Sequence, residues 1–535
     1  MTAVVTLNGH ELTRHEGGYA TFRVNLTPAL AVQNTLTVAV DNGKNRTVYP
    51  QKADFTFYGG IYRPVHLLVV PKAHFALDYH GAPGLRITPV LSADLKTAEI
   101  HAEAWVAGTA QSVQFTLGEE TLSAAVTDGK AEGTFKLENV HLWDGVNDPY
   151  LYKMQATLDS GDAVEANFGC RTIAFDAEKG FILNGRPYRL CGAARHQDRQ
   201  GLGNALTEKE HDEDMALLRE MGANTVRLAH YQHAQYFYDL CDKYGLVAWA
   251  EIPYITEHMP EGRANTLSQM TELVVQNYNH PSIVCWGLSN EITGSGKTED
   301  LVENHKLLND LCHKLDATRP TTMAHIFMLD ANDPLVFLPD IRSYNLYYGW
   351  YVGEWDQNDA WFDEFHKNHP DAVIGLSEYG ADANPAYQSA KPAKGDWSEG
   401  YQAVYHEHML KMWADRPYIW AMHCWNMFDF GADGRDEGGK PGQNQKGLVT
   451  FDRKTKKDAF YIYKAYLSKE PFVHICGRRY ADRTESETEI KVYSNQPRVT
   501  LFVDGKEFAA QDGDKIFKFT VPISGEHTIE ARSGA

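Results

Sequence analysis

Ser282-Ile-Val-Cys-Trp-Gly-Leu-Ser-Asn290-Glu291 is a nearly continuous apolar run that ends in an amide and a carboxylate. Without polar alternation, such a run reads as a strand buried on both faces, as in a parallel sheet, which puts Glu291 at its C-terminal tip. Val373-Ile-Gly-Leu-Ser-Glu378-Tyr-Gly repeats the arrangement and puts Glu378 at a second tip. Around these two stretches, short apolar runs alternate with amphipathic segments such as Glu210 to Met221 and Thr298 to Leu315. Further candidate strands are Tyr188 to Gly192, Thr225 to Leu228, Leu246 to Ala250, Ser343 to Leu346 and Ile419 to Cys424. Alternation of this kind over residues 177–468 predicts a (β/α)8 TIM barrel, whose chemistry sits at the strands' C-terminal ends.

The flanks follow a different pattern. Residues 1–72 carry short alternating strands and turn signals such as Asn8-Gly9 and Asp41-Asn42-Gly43, and close with the apolar run Val65-His-Leu-Leu-Val-Val. They predict most of a jelly-roll-like β-sandwich, with Gly17-Gly-Tyr-Ala-Thr-Phe-Arg-Val-Asn-Leu as another of its strands. Residues 73–176 predict a second sandwich of immunoglobulin-like size. Residues 469–535 return to strands, among them Glu489-Ile-Lys-Val-Tyr and Val499-Thr-Leu-Phe-Val. The fold class is therefore multidomain: β-sandwich domains around a TIM-barrel domain. Too few strands are present to close the first sandwich, so a missing N-terminal part is expected, and the last sandwich is expected to be incomplete.

With 535 residues, 43% of them hydrophobic, the chain is long enough for several cores. Its net charge of −20 argues against nucleic acid or an anionic membrane surface as a partner, because like charges repel. No stretch of 18 apolar residues offers a membrane span. The seven cysteines form no CxxC pair, and several lie in apolar runs, so they read as reduced and structural. No signal peptide is recognised, which makes the cytoplasm the expected location.

Two glutamates on one barrel rim suit glycoside hydrolysis, which needs an acid to protonate the leaving oxygen and a carboxylate to attack the anomeric carbon. A lone Asn-Glu at a strand end is more often structural; the repeated placement is what favours a catalytic pair. Asn290 is placed to donate to the sugar hydroxyl beside the reacting carbon. Arg195-His196 and Arg227-Leu-Ala-His230-Tyr231 end the first two strands. A single histidine there would read as packing, whereas two on adjacent strands point to substrate contacts. Arg227 is a candidate for keeping a carboxylate ionised. Aromatic clusters beyond the strand ends offer Trp425 as a platform for a sugar ring and Tyr348 as a hydroxyl to steady the nucleophile. Finally, the Gly-rich loop from Gly431 to Gly447 hangs from the last strand and holds Asn444 and Lys446.

These stretches resemble glycoside hydrolase family 2, a family of β-galactosidases, β-glucuronidases and β-mannosidases. The likeness runs through Gly59-Gly-Ile-Tyr-Arg63, Arg195-His196, Asn224-Thr-Val-Arg227-Leu-Ala-His230-Tyr231, Asn279-His-Pro-Ser to Asn290-Glu291, Ser377-Glu378-Tyr-Gly and Trp425-Asn426. The resemblance implies that Glu291 is the acid/base and Glu378 the nucleophile of a retaining exo-β-glycosidase. It also implies that Asp54, before the Gly-Ile-Tyr-Arg turn, reaches the sugar. Leu228 and Gln232 depart from the family pattern, which has a small residue and a proline there. Some β-galactosidases hold magnesium through Glu-x-His; here Glu257 and His258 are adjacent, so no metal and no cofactor are expected to be required. Asn444-Gln445-Lys446 is similar to the Asn-x-Lys that meets the uronate carboxylate in β-glucuronidases. The Asp429 to Gly439 and Lys446 to Phe460 segments look instead like those of bacterial β-galactosidases. A terminal β-galactoside is thus the first expectation, a β-glucuronide the alternative, and a non-catalytic carbohydrate-binding protein the reading from another class. The expected partner is a carbohydrate substrate, and a homo-oligomer is expected.

Overall fold

The computed structural model describes residues 1–533. Eight parallel strands close into a barrel in sequence order: β1 (Leu190–Arg195), β2 (Thr225–Leu228), β3 (Val247–Glu251), β4 (Ile283–Asn290), β5 (Thr321–Ile326), β6 (Ile341–Asn345), β7 (Ile374–Glu378) and β8 (Ile419–Cys424). Nearly every residue in them is buried, as expected when both faces of a sheet are covered. Close backbone approach is part of the packing. A Cβ on Gly192 of β1 would lie 1.9 Å from the carbonyl oxygen of Thr225 at the start of β2, so no other residue fits there without movement.

Helices follow seven of the strands: α1 (Glu208–Met221), α2 (Gln235–Tyr244), α3 (Arg263–Asn277), α4 (Glu299–Leu315), α5 (Gln357–Asn368), α6 (Glu399–Asp415) and α7 (Asp458–Leu467). Between β5 and β6 only a short 3-10 turn, Pro334–Phe337, takes a helix's place. The helix starts are capped as their sequences dictate. Thr207 and Glu210 form a capping box on α1, and the hydroxyls of Thr298 and Ser398 accept from Leu301 N and Tyr401 N on α4 and α6. Gly222 ends α1 at φ +87°, a conformation that costs glycine nothing.

The fifth strand was not among the predicted ones. Thr321-Thr-Met-Ala-His-Ile carries three polar residues that look solvent-facing in sequence, yet the strand is buried. Thr321 Oγ1 donates to Asn309 Oδ1 at 2.5 Å, and Thr321 N to Asp340 Oδ2 at 2.7 Å, so its polar groups are paired inside. Several strands also run past the expected C-terminal limits, to Arg195, Glu251, Asn290 and Glu378, because the apolar run stops before the strand does.

Among the flanking modules, residues 74–168 form two four-stranded sheets around a shared core that includes Ile100, Phe115, Phe135 and Met154. Thr97–Ala107 alternates strictly, with Ala98, Ile100, Ala102, Ala104 and Val106 inward. Two three-stranded sheets built from residues 473–533 enclose Ile490, Val492, Val499, Leu501, Phe517, Phe519 and Val521. At the N-terminus, Thr2–Leu7 pairs with His10–Glu16 and with Leu36–Asp41, and the first hairpin turns at Asn8-Gly9, both at positive φ as expected. Two predicted strands do not form. Gly17 to Leu26 and Val65 to Val70 have no sheet partner among the described residues, and Val65, Leu67 and Val69 are exposed. Apolar alternation favours a strand only where a neighbour can take its backbone hydrogen bonds.

The chain divides into two compact units, one of Met1–Ala53, Phe57–Tyr188 and Arg227–Ser343, the other of Asp54–Thr56, Arg189–Val226 and Tyr344–Ala535. In the second unit a wholly buried ion cluster ties α1 to the end of β1. Asp214 on α1 accepts from Arg195 Nε and Nη2 at 3.0 and 2.8 Å and from Arg453 Nε at 2.9 Å. Burial alone would raise the Asp214 pKa, but Arg453 and Arg195 outweigh it and hold the carboxyl below its ordinary value. Asp214→Asn leaves two buried guanidinium groups short of a counter-charge and is expected to lower unfolding free energy by about 3–5 kcal/mol in urea titrations at neutral pH. Because the folded-state pKa is depressed, the carboxylate's contribution is present above the unfolded-state value. The gap between wild type and variant is therefore expected to narrow as pH falls through the folded value.

Candidate active site

In the first unit, the tips of β2, β3 and β4 build a dense polar cluster. Arg227 of β2 is fully buried and forks onto Glu251, the last residue of β3, with Nε to Oε2 at 3.0 Å and Nη2 to Oε1 at 2.9 Å. The same Nη2 donates to Asn290 Oδ1 at 2.8 Å. His230 Nδ1 lies 2.7 Å from Glu251 Oε1, and a carboxylate partner requires that this nitrogen carry the proton. Arg227 also lies over the Trp249 ring, 4.9 Å from its centroid. Burial would push the Glu251 carboxyl up, but Arg227 and His230 pull it below the usual carboxylate range.

Asn290 ends β4 and Glu291 follows it. Glu291 N donates to Ala324 O of β5 at 2.9 Å, and its backbone sits at φ +46° and ψ +28°, a left-handed conformation unusual for glutamate. Held there by the neighbouring strand and by the 3-10 turn Ile292–Ser295, the residue leaves the strand abruptly and is only partly buried. Non-glycine residues fixed in such conformations concentrate at functional sites.

In the second unit, Glu378 ends β7 and is 4% exposed. Its main-chain oxygen accepts from Leu346 N at 2.9 Å, and its Oε2 accepts a hydrogen bond from the Tyr347 hydroxyl at 2.8 Å. The expected hydroxyl was that of Tyr348; the structure gives this contact to Tyr347. In extended chain a slip of one residue turns a side chain to the opposite face, and the aromatic run Tyr347-Tyr348 does not say which tyrosine faces inward. Tyr348 enters instead through its main-chain oxygen, which accepts from Asn358 Nδ2 at 3.2 Å.

Lys446 and Asn444 come from the loop after β8. That loop is a hairpin rather than an open excursion, because Phe430–Gly431 pairs with Gln443–Asn444. Lys446 is 1% exposed and lies 5.9, 5.9 and 4.4 Å from the ring centroids of Tyr347, Trp350 and Tyr351. Its ammonium donates to the Tyr351 hydroxyl at 2.5 Å and to Asp382. Burial alone would lower its pKa, but Asp382 and Tyr351 more than offset that, so the ammonium stays charged; Asp382 in turn is held below its usual value. Beneath the run, the buried Lys457 ammonium donates to Asp429 Oδ1 at 2.8 Å, Ala383 O at 2.7 Å and Gln445 O at 2.8 Å. Asp429 is pushed up to about 6 by burial, against the pull of Lys457.

Asp54 joins this second cluster. It takes a forked ion pair from Arg435, Nε at 2.8 Å and Nη2 at 2.5 Å, and a bond from Asn444 Nδ2 at 3.1 Å. Arg435 Nη2 also donates to the Tyr351 hydroxyl at 2.8 Å. His196, at the tip of β1, packs edge-on to Trp425 with ring centroids 5.2 Å apart and also meets Phe55 and Phe430. Trp425 N is fixed by Tyr379 O at 2.8 Å.

Within the first unit Arg227, His230 and Asn290 thus come together, with Glu291 adjoining Asn290. Within the second, Glu378 and Lys446 are linked through Tyr347, Lys446 to Asn444 and Asp54 through hydrogen bonds, and His196 packs on Trp425. Sequence reading missed Glu251, Tyr347, Tyr351, Asp382 and Arg435. Glu251 carried a usable signal, since Val247-Ala-Trp-Ala-Glu251 is another apolar run ending in glutamate. The others lie in loops whose partners are distant in sequence.

Two trios of metal-capable side chains occur among the described residues, Asp458 with His474 and Cys476, and Asp239 with Asp242 and His280. In each, a carboxylate is already hydrogen-bonded to the histidine, at 2.8 Å for Asp458 and 2.6 Å for Asp242. Neither trio contains a residue of the two clusters above.

Residues 176–470 match the family model for the TIM barrel domain of glycosyl hydrolases family 2, and residues 83–171 match a second model of glycosyl hydrolases family 2. A β-glucuronidase from Bacteroides fragilis is 38% identical over 98% of this chain and 80% of its own length. The crystal structure of an FMN-binding β-glucuronidase from Facaelibacterium prausnitzii L2-6 superposes with a TM-score of 0.97 at 44% identity, covering all of this chain and 85% of that one. A Bacteroides uniformis β-glucuronidase gives 0.91 at 32% identity, over 99% of this chain and 70% of that one. The relatives are mostly β-glucuronidases, so the ordering expected from sequence, galactoside before glucuronide, is not the one they favour. A match to the barrel-domain model over more than half the chain, together with these relatives, assigns the fold and a glycoside hydrolase role: the chain belongs to glycoside hydrolase family 2.

Proposed function

We propose that the protein is a retaining exo-β-glucuronidase in which Glu378 is the nucleophile and Glu291 the acid/base. One observation carries the choice of sugar: the buried Lys446 ammonium lies 5.9 Å from the ring of Tyr347, whose hydroxyl is bonded to Glu378. A charged donor beside the attacking carboxylate suits a sugar that bears its own carboxylate at C6. The Asn444-Gln445-Lys446 run and the mostly β-glucuronidase relatives point the same way.

In this reading Glu291 gives its proton to the glycosidic oxygen while the Glu378 carboxylate attacks C1. The C1–O bond breaks, the aglycone leaves as an alcohol, and the sugar is held as an ester. Water then gives a proton to the Glu291 carboxylate as its oxygen attacks C1, which frees Glu378 and restores the acid. The two steps balance with carboxylates alone, and neither needs a cofactor. Tyr347 stabilises the charge on Glu378, and Asn290 holds the hydroxyl next to C1. His196 and Trp425 border the sugar, while Asp54 and Asn444 complete its polar contacts.

Aryl β-glucuronide, β-galactoside and β-mannoside assayed side by side test the assignment. The expected result is clear preference for the glucuronide, with the β-anomer as first product by NMR; preference for the galactoside overturns it. Lys446→Gln is expected to lower kcat/KM on the glucuronide by about 10- to 100-fold, the equivalent of one charge-assisted hydrogen bond, and to spare the corresponding β-glucoside. Tyr347→Phe is expected to lower kcat by about 10- to 100-fold on the same grounds, whereas Tyr348→Phe stays within a few-fold of wild type. Equal effects of the two tyrosine substitutions would remove the role given to Tyr347.

A further inference from the structure

Glu251 is a third acidic side chain at a barrel strand tip, and the proposed mechanism gives it no step. It is 1% exposed and accepts three hydrogen bonds from two side chains, two from Arg227 and one from His230 Nδ1. The space it occupies depends on Gly287 of β4. A Cβ there would lie 2.5 Å from Glu251 Cβ and 2.5 Å from Trp249 Nε1. The carboxylate is therefore held from two sides, by cationic and imidazole donors and by a backbone without a side chain.

This fixes the orientation of three other groups. Arg227, fully buried, has its guanidinium plane set by the two-point contact to Glu251, and Nη2 is thereby aimed at Asn290 Oδ1 at 2.8 Å. With Oδ1 turned to Arg227, the amide's donor end is turned away from it. His230 must keep its proton on Nδ1, which leaves Nε2 as the nitrogen directed away from Glu251. We propose that Glu251 is a positioning residue for the acid/base half of the site, acting through Arg227 to aim the Asn290 amide at the sugar hydroxyl beside the anomeric carbon. The proposal rests on the glycosidase reading and on the role given there to Asn290.

Hydrogen bonds to that hydroxyl strengthen in the transition state, so misaiming the amide lowers kcat more than it raises KM. Glu251→Gln replaces an acceptor oxygen with an NH2 group facing the donors of Arg227 and His230. The test compares wild type and Glu251→Gln on an aryl β-glucuronide and on its 2-deoxy counterpart. The expected result is a loss of kcat on the order of 10- to 100-fold on the parent substrate, and a wild-type-to-variant ratio near one on the 2-deoxy sugar. An equal loss on both substrates assigns Glu251 to general architecture and overturns the proposal, as does no loss on either.

Should Glu251→Gln not accumulate as folded protein, Gly287→Ala carries the same comparison. Its added methyl displaces Glu251 or Trp249 without altering any ionisable group, and a selective loss on the 2-hydroxylated substrate is again expected. Failure of the glycosidase reading itself has a separate signature, since the wild-type protein would then release no aryl group from any of these sugars.

Discussion

Charge enters the interior of this barrel in matched pairs, and the candidate site depends on that pairing. Arg227 is held by Glu251, Lys446 by Asp382, Lys457 by Asp429 and Arg195 by Asp214. Each cation lies beyond the reach of solvent, where an unpaired charge would cost several kcal/mol. The pairing fixes geometry as well as charge. A guanidinium forked onto a carboxylate cannot rotate, and a lysine with three acceptors has one position for its nitrogen. The groups proposed to meet substrate are second members of such arrangements: Asn290 through Arg227, Asn444 through Asp54 and Arg435, and Lys446 directly. The molecule as a whole carries a large excess of acid, yet its buried cations keep their local neutrality.

Much of the architecture was legible because a strand covered on both faces has no polar alternation to confuse it. Thr225–Leu228 and Ile419–Cys424 were delimited correctly, and the two glutamates were found at strand ends. What escaped was polar residue buried with its partner. Thr321–Ile326 is a full barrel strand whose first residue, Thr321, is paired inside with Asn309 and Asp340, contacts that local sequence does not reveal. Glu251 fell just outside its predicted strand for the same reason. The choice between Tyr347 and Tyr348 was a question of register, which adjacent identical residues leave open. In the N-terminal module the pattern overreached: Val65 to Val70 has the composition of a strand but no ladder to join.

The sugar was the least legible feature, and the structure explains why. Asn444 and Lys446 were visible as a motif, but the flanking Asp429 to Gly439 and Lys446 to Phe460 segments looked like those of β-galactosidases. The acids near the motif divide among separate partners once the contacts are known. Glu437 accepts from Arg435 at 2.6 Å, Asp382 holds Lys446, and Asp54 takes the fork of Arg435. Counting charges along the sequence treats acids as one field, whereas in the fold these three are each paired with a cation.

The hairpin after β8 is joined at its base by the two-residue ladder between Phe430–Gly431 and Gln443–Asn444, and its outer residues return by Ala432 N to Gly442 O at 2.9 Å and Gly442 N to Arg435 O at 2.8 Å. Its ends are fixed and its tip closes on itself. Hairpin residues other than Arg435, whose guanidinium grips Asp54 and Tyr351, can therefore drift over evolutionary time while the rungs at the base continue to present Asn444 in the same place. Variation has here a segment to rewrite that is separate from the strand ends carrying Glu291 and Glu378.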